Sequence, residues 1–273
     1  MYLVQMSRSE NCFLSILQYF RAPLPLSDQT YYFTLKEPRY HEIIRFIYKQ
    51  QLSYIITVYW YSVIAVFCTT GMKIITVTGY KGGVAKSTTS VHLATYFSEK
   101  GKTVLLDGDP NRTAIAWAER GGQKMPFIAV DQRQAVKFVA GSDYIIIDTP
   151  ARPDSDDLKE LAKGCDLMIL PTAPDVLSLQ PMLEIARDLG ETKANFRALV
   201  AIVPPHPSTE GKQMRDELEL GGVPVFKTTI RRTVGFPKAA LAGVPIRDLD
   251  DARLRIAWAD YQNLGKEIEA LLK

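Results

Sequence analysis

Cysteine is scarce in this chain. The 273 residues hold three, Cys12, Cys68 and Cys165, and none forms a CxxC pair. That spacing speaks against a disulfide framework or a cysteine-ligated metal cluster, and it fits a reducing, cytoplasmic setting. A strong charge of either sign is also missing. Lys and Arg number 33 against 30 Asp and Glu, a formal net charge of +3. The chain is therefore no polycation, and any contact with nucleic acid must come from a local basic patch. No internal repeat or low-complexity tract is present. What remains is 47% hydrophobic and 23% charged residues, ordinary for a globular protein and enough for one sizeable core or two small ones.

One stretch organises the rest. Gly79-Tyr80-Lys81-Gly82-Gly83-Val84-Ala85-Lys86-Ser87-Thr88 lies between an apolar run, Ile74 to Thr78, and a helical segment, Thr89 to Lys100. Strand, glycine-rich loop and helix in that order hold a nucleotide phosphate chain. The glycines let backbone N–H groups turn inward toward phosphate oxygens, and the helix N-terminus adds partial positive charge. Lys86 would reach the β- and γ-phosphates, and the Ser87 hydroxyl would complete a magnesium shell.

The spelling K-G-G-x-x-K-[ST], with Lys81 ahead of the glycine pair, is the deviant Walker A motif. In it the chain resembles the ParA/MinD family of P-loop ATPases. The resemblance implies ATP and Mg2+ as cofactors, with the loop from Gly79 to Thr88 holding the nucleotide. It also implies that Lys81 crosses a dimer interface to the nucleotide bound by the partner subunit. Ala85 departs from the motif, which has glycine there; a methyl at that point crowds the phosphate or strains the backbone. MCM-type helicases resemble this loop in having Ala-Lys-Ser and hydrolyse ATP, so an intact site is the expectation.

Two carboxylate-ended strands follow. Thr103-Val104-Leu105-Leu106-Asp107-Gly108-Asp109-Pro110 reads as a buried strand ending in two acids. Ligands of open α/β sheets sit outside the carboxyl ends of strands, so both acids fall near the phosphates. By resemblance to the D-x-D-P pattern, Asp109 positions or activates the attacking water, and Asp107 helps to hold magnesium or the lysine pair. Tyr144-Ile145-Ile146-Ile147-Asp148-Thr149-Pro150 matches a Walker B strand, with Asp148 on the magnesium shell through water. The continuation Ala151-Arg152-Pro153-Asp154 departs from the Pro-Gly that is common in the family.

From Met72 onward, apolar runs of strand length alternate with segments of helical period. That pattern predicts an α/β fold, a mostly parallel twisted sheet with helices on both faces. The expected elements include a helix at 111–122 carrying Trp117, strands at 127–130, 166–172 and 198–203, and a helix at 176–189. Arg112 stands where the family often has glycine; it reads as a solvated arginine or as a contact to phosphate or partner. A last helix is expected from Asp251 to Leu271, with Leu254, Ala257, Trp258, Tyr261, Leu264, Ile268 and Leu271 as its core-packing stripe.

The block Thr229-Ile230-Arg231-Arg232-Thr233-Val234, then Gly243-Val244-Pro245-Ile246, resembles a late ParA block. Basic residues around it, Lys227, Arg231, Arg232 and Lys238, with Arg253 and Arg255 beyond, are the candidates for binding DNA phosphates without reading sequence. The tail Gly265 to Lys273 has mixed charge and few bulky apolar residues, which argues against a membrane-targeting C-terminal helix.

Residues 1–71 differ from the rest. They are rich in Tyr and Phe, and no charged residue occurs from Gln50 to Met72. Two readings stand: translated upstream sequence ahead of a start at Met72, or a membrane-associated extension built on Tyr54 to Cys68. The expected organisation is thus an N-terminal extension at 1–71 and a ParA-like ATPase domain at 72–273. The expected function is that of a small ParA lacking an operator-binding domain. ATP joins two copies, the dimer binds nonspecific DNA on the nucleoid in the cytoplasm, and a ParB-like or cargo adaptor stimulates hydrolysis and release. Cargo would be a plasmid, a chromosome locus or a large protein body. The alternatives are a MinD-like membrane-cycling ATPase, for which residues 50–70 must be expressed, and a poorly hydrolysing nucleotide-dependent interaction protein. A nitrogenase-iron-protein-like electron donor lacks its bridging cysteines.

Overall fold

We describe a computed structural model of the chain, covering residues 71–273 except 80, 123, 152, 154, 191 and 193. The expectations for the N-terminal extension lie outside the described residues.

Strands and helices alternate: β1 (Lys73–Gly79), α1 (Lys86–Phe97), β2 (Thr103–Asp107), α2 (Thr113–Arg120), β3 (Ile128–Asp131), α3 (Val136–Val139), β4 (Tyr144–Ala151) and α4 (Ser155–Gly164). There follow β5 (Leu167–Thr172), α5 (Val176–Gly190), β6 (Phe196–Val200), α6 (Glu210–Leu220), α7 (Gly235–Ala242), α8 (Ala252–Arg255) and α9 (Trp258–Leu271). The six strands form one sheet in the order β3-β2-β4-β1-β5-β6, with every pairing parallel. Parallel neighbours need long crossovers, and the helices supply them. The fold is the α/β layering that the sequence predicts.

Alternate side chains along the strands feed opposite faces. Ile75 and Val77 of β1, Leu105 of β2 and Leu167 and Ile169 of β5 pack with α1, Trp117 of α2 and the α9 stripe. On the other face, Met168 and Leu170 of β5 and Ala198 and Val200 of β6 meet Leu158, Met182, Ile185 and Leu218 from α4, α5 and α6. Ile74, Val104, Leu106 and Ile145 complete that face against Val139 of α3. Both faces are covered, so the strands read as continuous apolar runs rather than alternating ones.

Helix α1 is buried almost all round, because it lies between the sheet and α9. Buried His92 marks that junction. Its Nδ1 donates to the Thr88 carbonyl oxygen at 2.7 Å, and its Nε2 accepts the Ile246 N–H at 3.1 Å. The backbone donor from Ile246 fixes the tautomer. The ring stacks on Tyr261 at 4.7 Å. The late Gly243-Val244-Pro245-Ile246 block is thereby tied to the first turns of α1. Gly243, at φ 68, also lies backbone to backbone against Gly121, where a methyl on either would collide with the other.

Two boundaries differ from expectation. The strand expected to reach 203 ends at Val200, because Ile202 takes φ 57 and turns the chain out of the ladder. The C-terminal helix is two pieces, α8 and α9, broken where exposed Ile256 gives way to buried Ala257 and Trp258. The expected stripe holds: Ala257, Trp258, Tyr261, Leu264 and Ile268 are buried, with Leu254 and Leu271 partly so.

Candidate nucleotide-binding site

The candidate residues gather at the carboxyl ends of β1, β2 and β4. Strand β1 runs into the loop, and Lys86 opens α1. The loop turns through left-handed backbone at Gly83, φ 76, and at Ala85, φ 69 and ψ 29. Glycine takes that conformation without penalty, whereas an L-residue there costs roughly 1–2 kcal/mol. The methyl of Ala85 packs against the apolar core. Of the two consequences expected from this departure, the structure displays the backbone strain. No side chain caps α1, so its first-turn N–H groups lack an intrahelical acceptor and present an anion site.

Lys86 arches back over the loop, its Nζ donating to the Lys81 carbonyl oxygen at 3.2 Å. Burial lowers its pKa, and the charges of Asp148 and Asp109 oppose that shift. Lys81 points the other way and is half exposed. Its Nζ lies 3.4 Å from both Asp175 carboxylate oxygens and 3.3 Å from Ser178 Oγ. Ser178 in turn donates to Asp175 Oδ2 at 2.8 Å. Asp175 sits just after β5, the neighbour of β1, which is why its loop meets the glycine-rich one.

Asp148 is fully buried on β4. Ser90 Oγ–H donates to its Oδ1 at 3.0 Å, while Oδ2 has no hydrogen-bond partner among the described residues. Burial pushes its pKa up to about 7; the Ser87 and Ser90 hydroxyls oppose the shift, and Asp107 and Asp109 add to it. Asp107 accepts the Asp109 N–H at 3.1 Å and the Ile115 N–H at 3.0 Å, so it caps the first turn of α2. Burial raises its pKa against those donors. Asp109 Oδ1 accepts the Asn111 N–H at 2.8 Å, which holds the turn that carries it. The structure thus brings Lys86, Ser87, Asp107, Asp109 and Asp148 together. Of the pair expected beside Asp107, Lys86 neighbours Asp148 and Asp109, and Lys81 neighbours Asp175.

A hard divalent cation takes oxygen ligands. The buried, unpartnered Asp148 Oδ2 with the Ser87 hydroxyl nearby is such a donor set, so these residues fit magnesium. Arg112 opens α2 at φ 49, with Nε 3.8 Å from Asp131 Oδ2; it forms a surface ion pair.

The basic candidates are less uniform. Arg231 clamps Asp260 through two guanidinium bonds of 2.7 Å. Arg253 pairs with Asp251 at 3.3 Å. Lys227 borders an open depression of about 530 Å³ that also holds Asp260, Lys266 and Glu267, a mixed-charge lining. Arg232, Lys238 and Arg255 are exposed.

Sequence reasoning missed Ser90, Asp175 and Ser178. Ser90 had a signal, because a residue four beyond Lys86 shares its helix face. Asp175 and Ser178 had none, since their role depends on the strand order.

A phosphate-binding loop between the first strand and helix of a parallel sheet, with acids at neighbouring strand ends, defines a P-loop nucleotide-binding protein. Residues 75–246 match the CobQ/CobB/MinD/ParA nucleotide binding domain family. The chain belongs to that family and is a ParA/MinD-type ATPase. It is 30% identical over 203 residues to maintenance of carboxysome distribution protein A of Gloeobacter kilaueensis, spanning 72% of this chain and 94% of the relative. Over 204 residues it is 25% identical to the protein of that name from Halothiobacillus neapolitanus, spanning 70% and 94%. The fold is shared with a Cyanothece McdA variant in complex with ATP, with a TM-score of 0.56 at 14% identity over 72% of this chain and 97% of that one.

Proposed function

We propose that residues 72–273 form an ATPase domain that positions a large intracellular cargo by cycling on and off nonspecific DNA. ATP joins two copies face to face, with Lys81 of each reaching the nucleotide of the other. The observation that carries this reading is the position of Lys81. It stands on the half-exposed rim of the phosphate loop, its ammonium held by Asp175 rather than by the core. The relatives named for carboxysome distribution are spanned over 94% of their length, which supports a protein body as the cargo and a protein adaptor as the trigger of release.

In this reading the loop N–H groups and the N-terminus of α1 hold the phosphates, and Lys86 neutralises charge on them. Asp109 orients the attacking water from its fixed turn. Ser87, Asp148 and Asp107 would hold the magnesium shell. When bound, magnesium supplies charge stabilisation on the phosphoryl oxygens. Phosphate contact by Arg232, Lys238 and Arg255, with Lys227, Arg231 and Arg253 at the margins, suffices for binding DNA without reading its sequence.

The test uses the full chain. DNA binding is measured with ATP, ADP and no nucleotide at low and moderate salt, beside Lys86→Ala and Arg232→Ala/Lys238→Ala. The expected result is ATP-selective, salt-sensitive binding that both variants lose. ATP-driven dimerisation without DNA binding would overturn the DNA part and leave another surface as the matrix.

A further inference from the structure

Ser90 lies one helical turn beyond Lys86 and is fully buried. Its hydroxyl meets two acceptors, the Lys86 carbonyl oxygen at 3.1 Å and Asp148 Oδ1 at 3.0 Å. Serine is a poor choice for a buried helix interior. The back-bond to the carbonyl four residues earlier does satisfy such a hydroxyl, as Thr95 does at 2.8 Å to Val91 on the same helix. The reach to Asp148 is therefore not required for Ser90's own sake. It ties the helix that follows the phosphate loop to the strand that carries the buried carboxylate, and α1 packs over β4 along this line. The other carboxylate oxygen, Oδ2, has no hydrogen-bond partner among the described residues.

We propose that Ser90 is a positioning residue: it pins Asp148 by Oδ1 and leaves Oδ2 directed at the magnesium shell. The proposal rests on the reading of Asp148 given above. Ser87 also neighbours this carboxylate, but its hydroxyl is the one committed to the metal. There its oxygen serves the metal, whereas Ser90 is the side-chain donor to Asp148 Oδ1 among the described residues. A carboxylate without that donor is free to rotate and loses the orientation in which a metal-bound water meets it. Partners of this outer kind are worth roughly 10–100-fold in metal affinity.

The experiment reads binding of a fluorescent ADP analogue to the full chain across a Mg2+ titration and again in excess EDTA. It compares the wild type with Ser90→Ala, Ser90→Cys and Asp148→Asn. The thiol is nearly isosteric with the hydroxyl and a weak donor. Both Ser90 variants are expected to raise the Mg2+ midpoint by roughly 10-fold or more, with affinity in EDTA close to wild type. A midpoint that moves in Asp148→Asn but in neither Ser90 variant overturns the role of Ser90 alone. A midpoint unmoved in Asp148→Asn overturns the metal reading, and this proposal with it. Equal loss in EDTA for both Ser90 variants assigns Ser90 to packing and also overturns the proposal.

Discussion

The ammonium group of Lys81 lies 3.4 Å from the carboxylate of Asp175 in its own subunit, with side-chain exposures of 51% and 40%. A lysine so engaged is not free to serve a second copy. Dimerisation through Lys81 must therefore break this pair first. An exposed ion pair is worth about 0–1 kcal/mol, and a dimer breaks two. Asp175→Asn should lower the protein concentration for half-maximal ATP-dependent dimerisation by roughly 3- to 10-fold. Sedimentation velocity across a concentration series measures it. An unchanged midpoint would mean that Lys81 does not change partners on assembly.

Ala85 holds the left-handed backbone that the family assigns to glycine. Ala85→Gly removes a strain of roughly 1–2 kcal/mol. It also adds unfolded-state entropy that destabilises by about 0.4–1 kcal/mol. The net expectation is a neutral change or a gain of up to about 1.6 kcal/mol in chemical denaturation. Ala85→Val should lose more than about 1 kcal/mol, on the order expected for a branched residue at positive φ. A loss on Ala85→Gly exceeding about 1 kcal/mol would contradict the left-handed geometry.

The phosphate loop, Asp109 and Asp148 could be read from the chain because each is a local pattern: a strand, then a specific residue at its end. The same locality made β1, β2, β4 and β5 recognisable. Partners set by strand order could not be read. Asp175 meets Lys81 only because β5 lies beside β1. Asp260 meets Arg231 across 29 residues, so an arginine counted as a free cation is committed to a carboxylate. The helices α4, α6 and α7 went unremarked: α4 and α6 are strongly polar, and α7 is a short run opening on Gly-Phe-Pro. Ile202 broke its strand because one β-branched residue takes positive φ, which propensity does not foresee.

That commitment separates the basic candidates. Asp260 is 8% exposed and takes the Arg231 guanidinium and backbone N–H. Arg231→Ala leaves this carboxylate short of its main partner and should cost about 1 kcal/mol, after discounting for the half-exposed arginine. Arg232→Ala and Lys238→Ala lie on the exposed surface and should change stability by less than about 0.5 kcal/mol. If DNA affinity falls in all three, only the latter two losses report phosphate contact directly. Equal melting temperatures for Arg231→Ala and Arg232→Ala would remove the distinction.

Two buried groups with displaced pKa values oppose one another. Burial holds His92 down to about 4, with the Thr88 carbonyl resisting and Arg247 assisting; the unfolded value is about 6.5. Below about pH 6.5 the unfolded chain takes a proton that the folded one refuses. This contribution is therefore complete above about 6.5 and declines by roughly 3 kcal/mol as pH falls to about 4. Asp148 has the reverse sign. Its folded value of about 7 exceeds the unfolded value of about 3.9, so its contribution is lost as pH rises from about 4 to 7. In nucleotide-free, metal-free buffer the two slopes nearly cancel between about pH 4.5 and 6.5. His92→Gln should expose a stability that falls with rising pH by about 1.4 kcal/mol per unit, and Asp148→Asn one that rises by a similar amount. Guanidinium unfolding of the full chain at three pH values reads both slopes, and the remaining titrations cancel in the differences from wild type. A His92→Gln slope equal to wild type would mean that His92 is protonated inside the fold, which the Ile246 N–H directed at its Nε2 forbids.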